Sequence, residues 1–442
     1  MKIFLFITIL SLSISAKELA VRSSILHFIK NPTQDKKSYE YYKDGILIVK
    51  NGRIKSLTSF KDYKRNKNIK IIDYRGKLII PGLIDTHIHY PQTDMIASHG
   101  EQLLEWLNKY TFPTEKRFED KKYSKDVASF FIKELLRNGT TTALVFATIH
   151  PNSVDAIFNE ASQRNMRIIS GKTLMDRNAP KYLLDTPELA YSDSKKLIKK
   201  WHGKKRLSYA VTPRFAPTSS PQQLESAKKL LYEFPSIYMH THLSENKKEI
   251  AWVKSLYPKS KNYLDVYDRF NLVTPKSIFA HAVHLTNDEV KTIKSKKSGI
   301  SFCPSSNMFL GSGLFDYEKI ASNNIKVGLG TDVGAGTSFS LLKTMGDAYK
   351  VSQLKGQKLS ALEAFYLATL GGAKTLELSQ KIGNFQKGKE ADFIVIDLKS
   401  TPLFSRRIKE AKTLEEKLFI LLTLGDDRNI KHTYIMGKKM KF

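Results

Sequence analysis

The stretch KLIIPGLIDTHIH, residues 77–89, is an apolar run that ends in two histidines, His87 and His89. Residues two apart in a strand point to the same side, so both imidazoles face one way. Further apolar runs follow along the chain, and polar residues end them in the same manner: TTALVFATIH, RIISGKTLMD, LSYAVTPRFA, SIYMHTHLSE, SIFAHAVHL, GISFCPSSN and KVGLGTDV. Most of these runs are separated by segments with helical periodicity. The alternation predicts a parallel sheet covered by helices.

Eight such units predict an α/β fold closed into a (β/α)₈ TIM-like barrel, which we assign to residues 81–382. The two ends of the chain, residues 17–80 and 383–442, contain shorter strand-like runs. One of them, GILIVKNGRIKSL, carries an Asn51-Gly52 pair that is typical of a hairpin turn. We therefore expect the two ends to form one small composite β domain. In barrels of this kind the active site lies at the carboxyl ends of the strands, where the unusual polar residues of this sequence fall.

The composition indicates a large folded protein with a basic surface. The 442 residues are 41% hydrophobic, and 72 Lys and Arg against 43 Asp and Glu leave a net charge of +29. The lysines are scattered, and no basic block with interleaved aromatics is present, so we expect no nucleic-acid partner. The single cysteine, Cys303, excludes an intrachain disulfide and a cysteine zinc site. Its apolar surroundings in the sequence predict a core position.

The first residues, MKIFLFITILSLSISAKE, combine one lysine, an apolar stretch and small residues. This order is typical of a secretory signal peptide, which we assign to residues 1–16. The pattern predicts an exported or periplasmic protein if the leader functions, and the alternative is a cytoplasmic protein. No later apolar run approaches the ~18 residues of a membrane-spanning helix, so no membrane association is expected once the leader is removed.

Three further runs end in residues that can bind metal: His242 in the fifth, His281 in the sixth and Asp332 in the eighth. Imidazoles and a carboxylate with one open position are a catalytic zinc arrangement, although the same donors also suit iron. Glu245 follows His242 by three residues. If the chain turns helical there, Glu245 projects back toward the metal and can move a proton. The alternative is an acid that stabilises a helix N-terminus.

Four motifs resemble the metal motifs of the amidohydrolase superfamily and occur in the same order: PGLIDTHIH, HLSE, AHAVHL and GLGTDVGAGTS. The terminal segments, GNFQKGKEADFIVID in particular, resemble the composite β domain of that superfamily. Some members hold two metals through a carboxylated lysine on the fourth strand. Here the corresponding segment, AVTPRFAPTSS, contains Arg214 and no lysine. This departure favours one metal and a deaminase-type site.

Within the superfamily, the chain resembles the guanine deaminases in five segments: residues 89–115, TPRFAPTS, HTHLSEN, CPSSNMFLGSG and GTDVGAGTSFSLLKTMGDAYKV. The resemblance implies hydrolysis of guanine to xanthine and ammonia by a homodimer with one Zn²⁺ per chain, Fe²⁺ being the alternative. The implied metal ligands are His87, His89, His242 and Asp332. The implied catalytic residues are Glu245, His281 and Asp332. The residues implied to contact the purine are Gln92, Arg214, Phe215 and His242.

Three alternatives remain open at this point. The first is a deaminase or dechlorinase that acts on a related ring, such as an oxidised guanine, a pterin or a triazine. The second is a catalytically inactive scaffold of the same fold, which predicts loss of at least one metal or proton-transfer residue. All of those residues are present, which argues against the scaffold. The third is a nucleic-acid-binding module, which only the net charge favours.

Overall fold

The computed structural model describes residues 18–35, 37–66, 68–99 and 102–442. The signal peptide predicted for residues 1–16 lies outside these described residues. Within them, we find no helix that is both long enough and apolar enough to cross a bilayer. The described chain forms two sheets, a barrel and a smaller mixed sheet, together with the helices that cover the barrel.

The strands in chain order are β1 (Glu18–Phe28), β2 (Tyr39–Lys50), β3 (Arg53–Ser59), β4 (Ile71–Pro81), β5 (Leu83–His89), β6 (Thr140–Phe146), β7 (Arg167–Gly171), β8 (Thr173–Leu174), β9 (Ser208–Pro213), β10 (Tyr238–Leu243), β11 (Ser277–His281), β12 (Gly299–Phe302), β13 (Lys326–Leu329), β14 (Phe393–Ile396), β15 (Ile430–Ile435) and β16 (Lys438–Lys439).

The α-helices in chain order are α1 (Leu103–Trp106), α2 (Phe112–Lys116), α3 (Lys121–Arg137), α4 (Pro151–Gln163), α5 (Pro187–Trp201), α6 (Pro221–Glu233), α7 (Lys247–Leu256), α8 (Tyr263–Asp268), α9 (Asn287–Ser295), α10 (Pro304–Phe309), α11 (Tyr317–Ser322), α12 (Leu341–Leu354), α13 (Ala361–Tyr366), α14 (Gly372–Thr375), α15 (Pro402–Glu410) and α16 (Leu414–Leu424).

The barrel consists of parallel strands in the order β13-β12-β11-β10-β9-β7-β6-β5, with β8 also paired to β9. Its two ends meet through backbone hydrogen bonds, in which the Asp332 N–H donates to the His87 carbonyl at 3.0 Å and the His89 N–H donates to the Val333 carbonyl at 2.9 Å. Cys303 is fully buried, as its sequence context predicts, and its Sγ lies 3.7 Å from Ser301 Oγ. The predicted (β/α)₈ barrel is confirmed.

The second sheet, which we call the composite sheet, has the order β16-β15-β14-β4-β1-β2-β3 and takes strands from both ends of the chain. The antiparallel pairing of β14 with β4 joins the two ends. Asn51 and Gly52 have left-handed backbones, with φ of 52° and 77°, and they connect β2 to β3 as the sequence predicts. The C-terminal segment also contains α15 and α16, which the sequence analysis did not single out. The domain boundaries at residues 80 and 383 stay a prediction.

The composite sheet and the barrel meet where β4 passes into β5. Gly82 lies at this junction, and a Cβ atom there would lie 2.2 Å from the Thr141 hydroxyl, so a larger residue does not fit. The Gly82 N–H donates to the Asp392 carbonyl at 3.0 Å, and the Leu83 N–H donates to the Gly139 carbonyl at 3.0 Å. One continuous apolar run therefore contributes β4 to the composite sheet and β5 to the barrel, with Gly82 between the two strands.

A buried cluster of four charged side chains also connects the two parts of the molecule. Arg167 and Arg206, which flank barrel strands, both bind Glu390, with nitrogen–oxygen distances of 2.6 and 2.7 Å, and Arg206 also binds Asp392. Burial by itself raises the pKa of Glu390, but the two guanidinium groups outweigh it and hold that pKa below its ordinary value. The carboxylate therefore stays charged and contributes to stability at neutral pH.

We predict that Glu390→Gln lowers the free energy of unfolding at pH 7 by about 3 kcal/mol, because it leaves buried guanidinium charge without its partner. Glu390 has a lowered pKa in the folded state, so its contribution is complete above its ordinary pKa of 4.5 and is lost as the pH falls through the lower folded value. Urea unfolding followed by circular dichroism should show the difference between variant and wild type narrowing below about pH 4.5.

The matched control is Glu225→Gln, which removes an exposed carboxylate that pairs with Lys228 on the surface of α6. Exposed pairs of this kind contribute about 0–1 kcal/mol, so the control should unfold like the wild type. The assigned role of the cluster would be contradicted if Glu390→Gln and wild type had nearly the same free energy of unfolding at pH 7. It would also be contradicted if the difference between their free energies of unfolding stayed constant from pH 7 to acid pH.

Candidate active site

The predicted metal ligands converge at the carboxyl end of the barrel. The Nε2 atoms of His87 and His89 lie 3.2 Å apart, and the Nε2 atoms of His89 and His242 are also separated by 3.2 Å. Asp332 Oδ1 lies 3.1 Å from His87 Nε2 and 3.3 Å from His89 Nε2. His281 completes the cluster, with its Nε2 3.8 Å from Asp332 Oδ2. The five side chains thus form two overlapping groups of possible metal ligands, His87 with His89 and Asp332, and His87 with His242 and His281.

The second nitrogen of three of these imidazoles is held by a neighbour, which turns Nε2 toward the cluster. His242 Nδ1 donates to the Arg214 carbonyl at 2.7 Å, and His281 Nδ1 donates to Asn307 Oδ1 at 2.8 Å. His87 Nδ1 lies 2.8 Å from His240 Nε2. Partners of this kind fix the tautomer and the orientation of a metal-binding histidine. The sequence analysis missed the role of His240, although the alternation in HTH places it on the same side of the strand as His242.

The charge states of these groups fit a divalent cation. Burial lowers the pKa of His87 and of His242, and it lowers the pKa of His89 to about 3, so the imidazoles are neutral and carry free lone pairs. Burial opposes ionisation of Asp332, but the neighbouring His87 and His89 bring its pKa well below the ordinary value. The distances of 3.1–3.3 Å among the ligand atoms of His87, His89 and Asp332 fit one cation with bonds of 2.0–2.1 Å. A cation between these atoms would satisfy lone pairs that otherwise face one another.

Glu245 reaches the cluster by a route that differs from the predicted one. The chain does not turn helical after His242; instead Ser244 has a left-handed backbone with φ of 48°, and α7 begins only at Lys247. The N-cap of that helix is Asn246, so Glu245 precedes the helix and does not cap it. Glu245 Oε2 lies 3.5 Å from His281 Nε2, and Glu245 Oε1 accepts a hydrogen bond from Ser312 at 3.0 Å.

Burial, together with the nearby charge of Asp332, raises the pKa of Glu245 to about 8. Asp332 has the opposite shift, although the two carboxyl groups belong to the same cluster. The pKa values of the two carboxyl groups of the site are thus shifted in opposite directions. Such a pair can donate a proton at one position and accept a proton at another.

A cavity opens beside this cluster, with about 410 Å³ of empty volume when the open space at its entrance is included. Its polar lining consists of His89, Gln92, Arg214, His242, Glu245, His281 and Asp332, and its apolar lining consists of Leu103, Trp106, Leu107, Phe215, Leu310 and Ala335. Every residue that the sequence analysis assigned to the site, except the deeper His87, lines this cavity. His87 lies directly behind it and contacts His89. The roles assigned to the individual residues stay predictions.

The residues predicted to contact the purine lie on two different loops. Gln92 follows β5, and Arg214 and Phe215 follow β9. Phe215 packs edge-on against Trp252, with ring centroids 6.1 Å apart. Arg214 forms a buried ion pair with Glu115, with the two atoms 2.8 Å apart. The sequence analysis missed Glu115, although the segment that it quoted as diagnostic ends at this residue.

Comparison with known proteins agrees with this geometry. The Amidohydrolase family matches the chain over residues 78–440. Guanine deaminase of Escherichia coli (strain K12) is 55% identical over 95% of this chain and 97% of its own length. The solved structure of E. coli guanine deaminase superimposes with a TM-score of 0.93 over 96% of this chain and 99% of that one.

A second solved structure, guanine deaminase from C. acetobutylicum with guanine bound in the active site, is 34% identical. It superimposes with a TM-score of 0.89 and covers 96% of this chain and all of that one. Both the sequence and the fold are thus shared over nearly the full length of these relatives. The chain is a member of the amidohydrolase family and belongs, within that family, to the guanine deaminases.

Proposed function

We propose that this enzyme hydrolyses guanine to xanthine and ammonia. The observation that carries the proposal is the cavity itself, whose lining combines the carboxyl groups of Glu245 and Asp332 with the hydrogen-bonding side chains of Gln92 and Arg214. An enzyme that deaminates a flat polar ring needs acid–base groups at the reacting carbon and hydrogen-bonding groups at the far edge. The bound guanine in the relative from C. acetobutylicum supports the same substrate.

Arg214, Gln92 and the apolar walls of the cavity can bind a purine ring. A guanidinium can donate to a carbonyl oxygen such as O6 of guanine, and an amide can both donate and accept. The aromatic and aliphatic walls, which include Phe215 and Leu103, suit the flat faces of the ring. We propose that Arg214 binds O6, that Gln92 binds the adjoining ring edge and that Phe215 stacks on the ring. His242, at the reacting end, contacts the amino group that is replaced.

We propose His87, His89, His242 and Asp332 as the ligands of one Zn²⁺, with Fe²⁺ as the alternative metal. The donor set and its closed, neutral-imidazole surroundings support a divalent cation of this class. When bound, such an ion acidifies a water molecule and so supplies the nucleophile at neutral pH. His281, which Asn307 holds at Nδ1, faces the same point with a free Nε2 and can orient that water.

The chain's own groups then move the protons. Asp332 accepts the proton that the water loses as its oxygen bonds to C2 of guanine. Glu245 delivers its proton to N3, which makes C2 more electrophilic. Asp332 then passes the proton that it took from the water to the amino nitrogen, the bond between C2 and that nitrogen breaks, and ammonia leaves. The oxygen of the water stays on C2, and the proton that remains on it returns to Glu245, which gives xanthine and restores both carboxyl groups.

We predict that removal of the metal abolishes the reaction. A strong chelator should reduce the metal content below detection and stop the absorbance change from guanine to xanthine, and Zn²⁺ should restore both. Wild-type protein should contain about one metal per chain by elemental analysis, because the two groups of possible ligands share His87. The proposed substrate would be wrong if the enzyme released ammonia faster from an oxidised guanine, a pterin or a triazine than from guanine. Activity without metal would contradict the mechanism.

We predict that Glu245→Gln retains the metal but lowers kcat by about 10²–10⁴-fold, because an amide cannot donate and regain the proton. Elemental analysis and guanine turnover measured on one preparation check this result. Glu225→Gln, which removes a surface carboxylate of the same type, serves as the control and should keep full activity. A near-normal kcat for Glu245→Gln would show that another group transfers the proton.

Two broader proposals rest on sequence alone. The order of charge, apolar residues and small residues in residues 1–16 supports export, with a cytoplasmic location as the alternative. The family resemblance supports a homodimer. Mass spectrometry of protein purified from its native cells should find a new N-terminus near residue 17, and light scattering should give twice the mass of the mature chain. An intact Met1, or a monomeric mass, would contradict the respective proposal.

A further inference from the structure

We propose that Glu115 is a positioning residue that sets substrate specificity. It holds the Gln92 amide in one orientation and thereby makes the cavity select a neutral ring with a 6-oxo group over a ring with a 6-amino group. The inference rests on the proposed function, since it concerns how guanine is told apart from its closest analogues. Glu115 does not line the cavity, so it acts through the two residues that do.

Glu115 lies on α2, beneath the cavity, and connects two loops that are distant in sequence. Its side chain is completely buried. Oε1 accepts a hydrogen bond from Gln92 Nε2 at 3.3 Å and another from Arg214 Nη1 at 3.0 Å. Oε2 accepts a second contact from Arg214 Nη1 at 2.8 Å. One carboxylate thus organises both of the groups that face the far edge of the substrate.

The ion pair determines the charge that the cavity presents. Arg214 alone would place an uncompensated buried positive charge at the far end and would favour an anionic substrate. Paired with Glu115, it is neutralised, while its Nε and Nη2 atoms make no hydrogen bond to the described part of the chain. These N–H groups remain available to a carbonyl oxygen. The pair therefore fits an uncharged ring that carries an oxo group.

The orientation of Gln92 is set from both sides. A carboxylate can only accept, so the Gln92 atom beside Glu115 must be the nitrogen. A backbone N–H can only donate, and the Gly334 N–H donates to Gln92 Oε1 at 3.2 Å. If the Gln92 amide were reversed, its oxygen would face the Glu115 carboxylate and its N–H groups would face the Gly334 N–H. Each end of the amide retains one unused site, an N–H on the nitrogen and a lone pair on the oxygen.

These two unused sites match one kind of purine edge. Guanine presents an O6 acceptor beside an N1–H donor. O6 can accept a hydrogen bond from the unused N–H of Gln92, and N1–H can donate to the unused lone pair on Gln92 Oε1. A 6-amino ring presents the opposite order, a donor beside an unprotonated N1. Such a ring would require the reversed amide that Glu115 disfavours. A site with fixed polar groups rejects the mismatched analogue strongly, because its buried groups are left unpaired.

The test compares guanine with 2,6-diaminopurine, which has a 6-amino group and an unprotonated N1 in place of the 6-oxo group and N1–H, and which deamination at C2 converts to isoguanine. Wild-type enzyme should strongly prefer guanine in kcat/KM. Glu115→Gln should lower this preference by about 10- to 100-fold, because an amide at position 115 can pair with either orientation of Gln92. Glu105→Gln, an exposed neutralisation on the neighbouring α1, is the matched control and should leave the preference unchanged.

A second variant, Gln92→Met, removes the amide but leaves the ion pair intact. It should lower the preference for guanine to a similar extent, and the double variant should lower it no further. An unchanged preference in either single variant overturns the proposal, even if kcat/KM falls for both substrates, because a purely structural role affects the two rings equally. Absence of guanine turnover in the wild type would instead refute the proposed function.

Discussion

The site depends on the hydrogen bonds that close the barrel. The Asp332 N–H binds the His87 carbonyl, and the His89 N–H binds the Val333 carbonyl, so the chain after the last strand is joined to the first strand at its carboxyl end. The same contact that removes the exposed sheet edges therefore places the carboxylate of Asp332 against two imidazoles. The same hydrogen bonds therefore close the barrel and bring the candidate metal ligands together, so a change that breaks them would disturb both.

Several residues of the site have backbones that non-glycine residues seldom adopt. Ser244, His281 and Asp332 all have positive φ, at 48°, 67° and 51°. Each such residue costs of order 1–3 kcal/mol, and each lies at or just beyond the carboxyl end of a barrel strand. The surrounding hydrogen bonds hold these conformations, for example the bond from His281 to Asn307. The stability of the barrel offsets this backbone strain at the carboxyl ends of its strands.

The layers around the candidate metal site follow one pattern, in which a buried polar partner fixes each working side chain. His240 orients His87, Ser312 binds Glu245, and Glu115 holds Arg214. None of these partners lies at the end of a strand in the manner of the ligands themselves. Because each is buried and hydrogen-bonded, each restricts the rotamers of the group it touches, which is how an active site is held ready for its substrate.

The sequence by itself determined the fold class and the main members of the site. Apolar runs ending in polar residues specify strands whose carboxyl ends share one face, so His87, His89, His242 and Asp332 could be named in advance. The tertiary structure alone decided the path of Glu245, which turns at a left-handed Ser244 and not into a helix. It also decided the partnerships of His240 and Glu115. Such contacts join residues separated by 23 to 153 positions, and periodicity within a strand or helix carries no information about which distant side chain will lie beside a given residue.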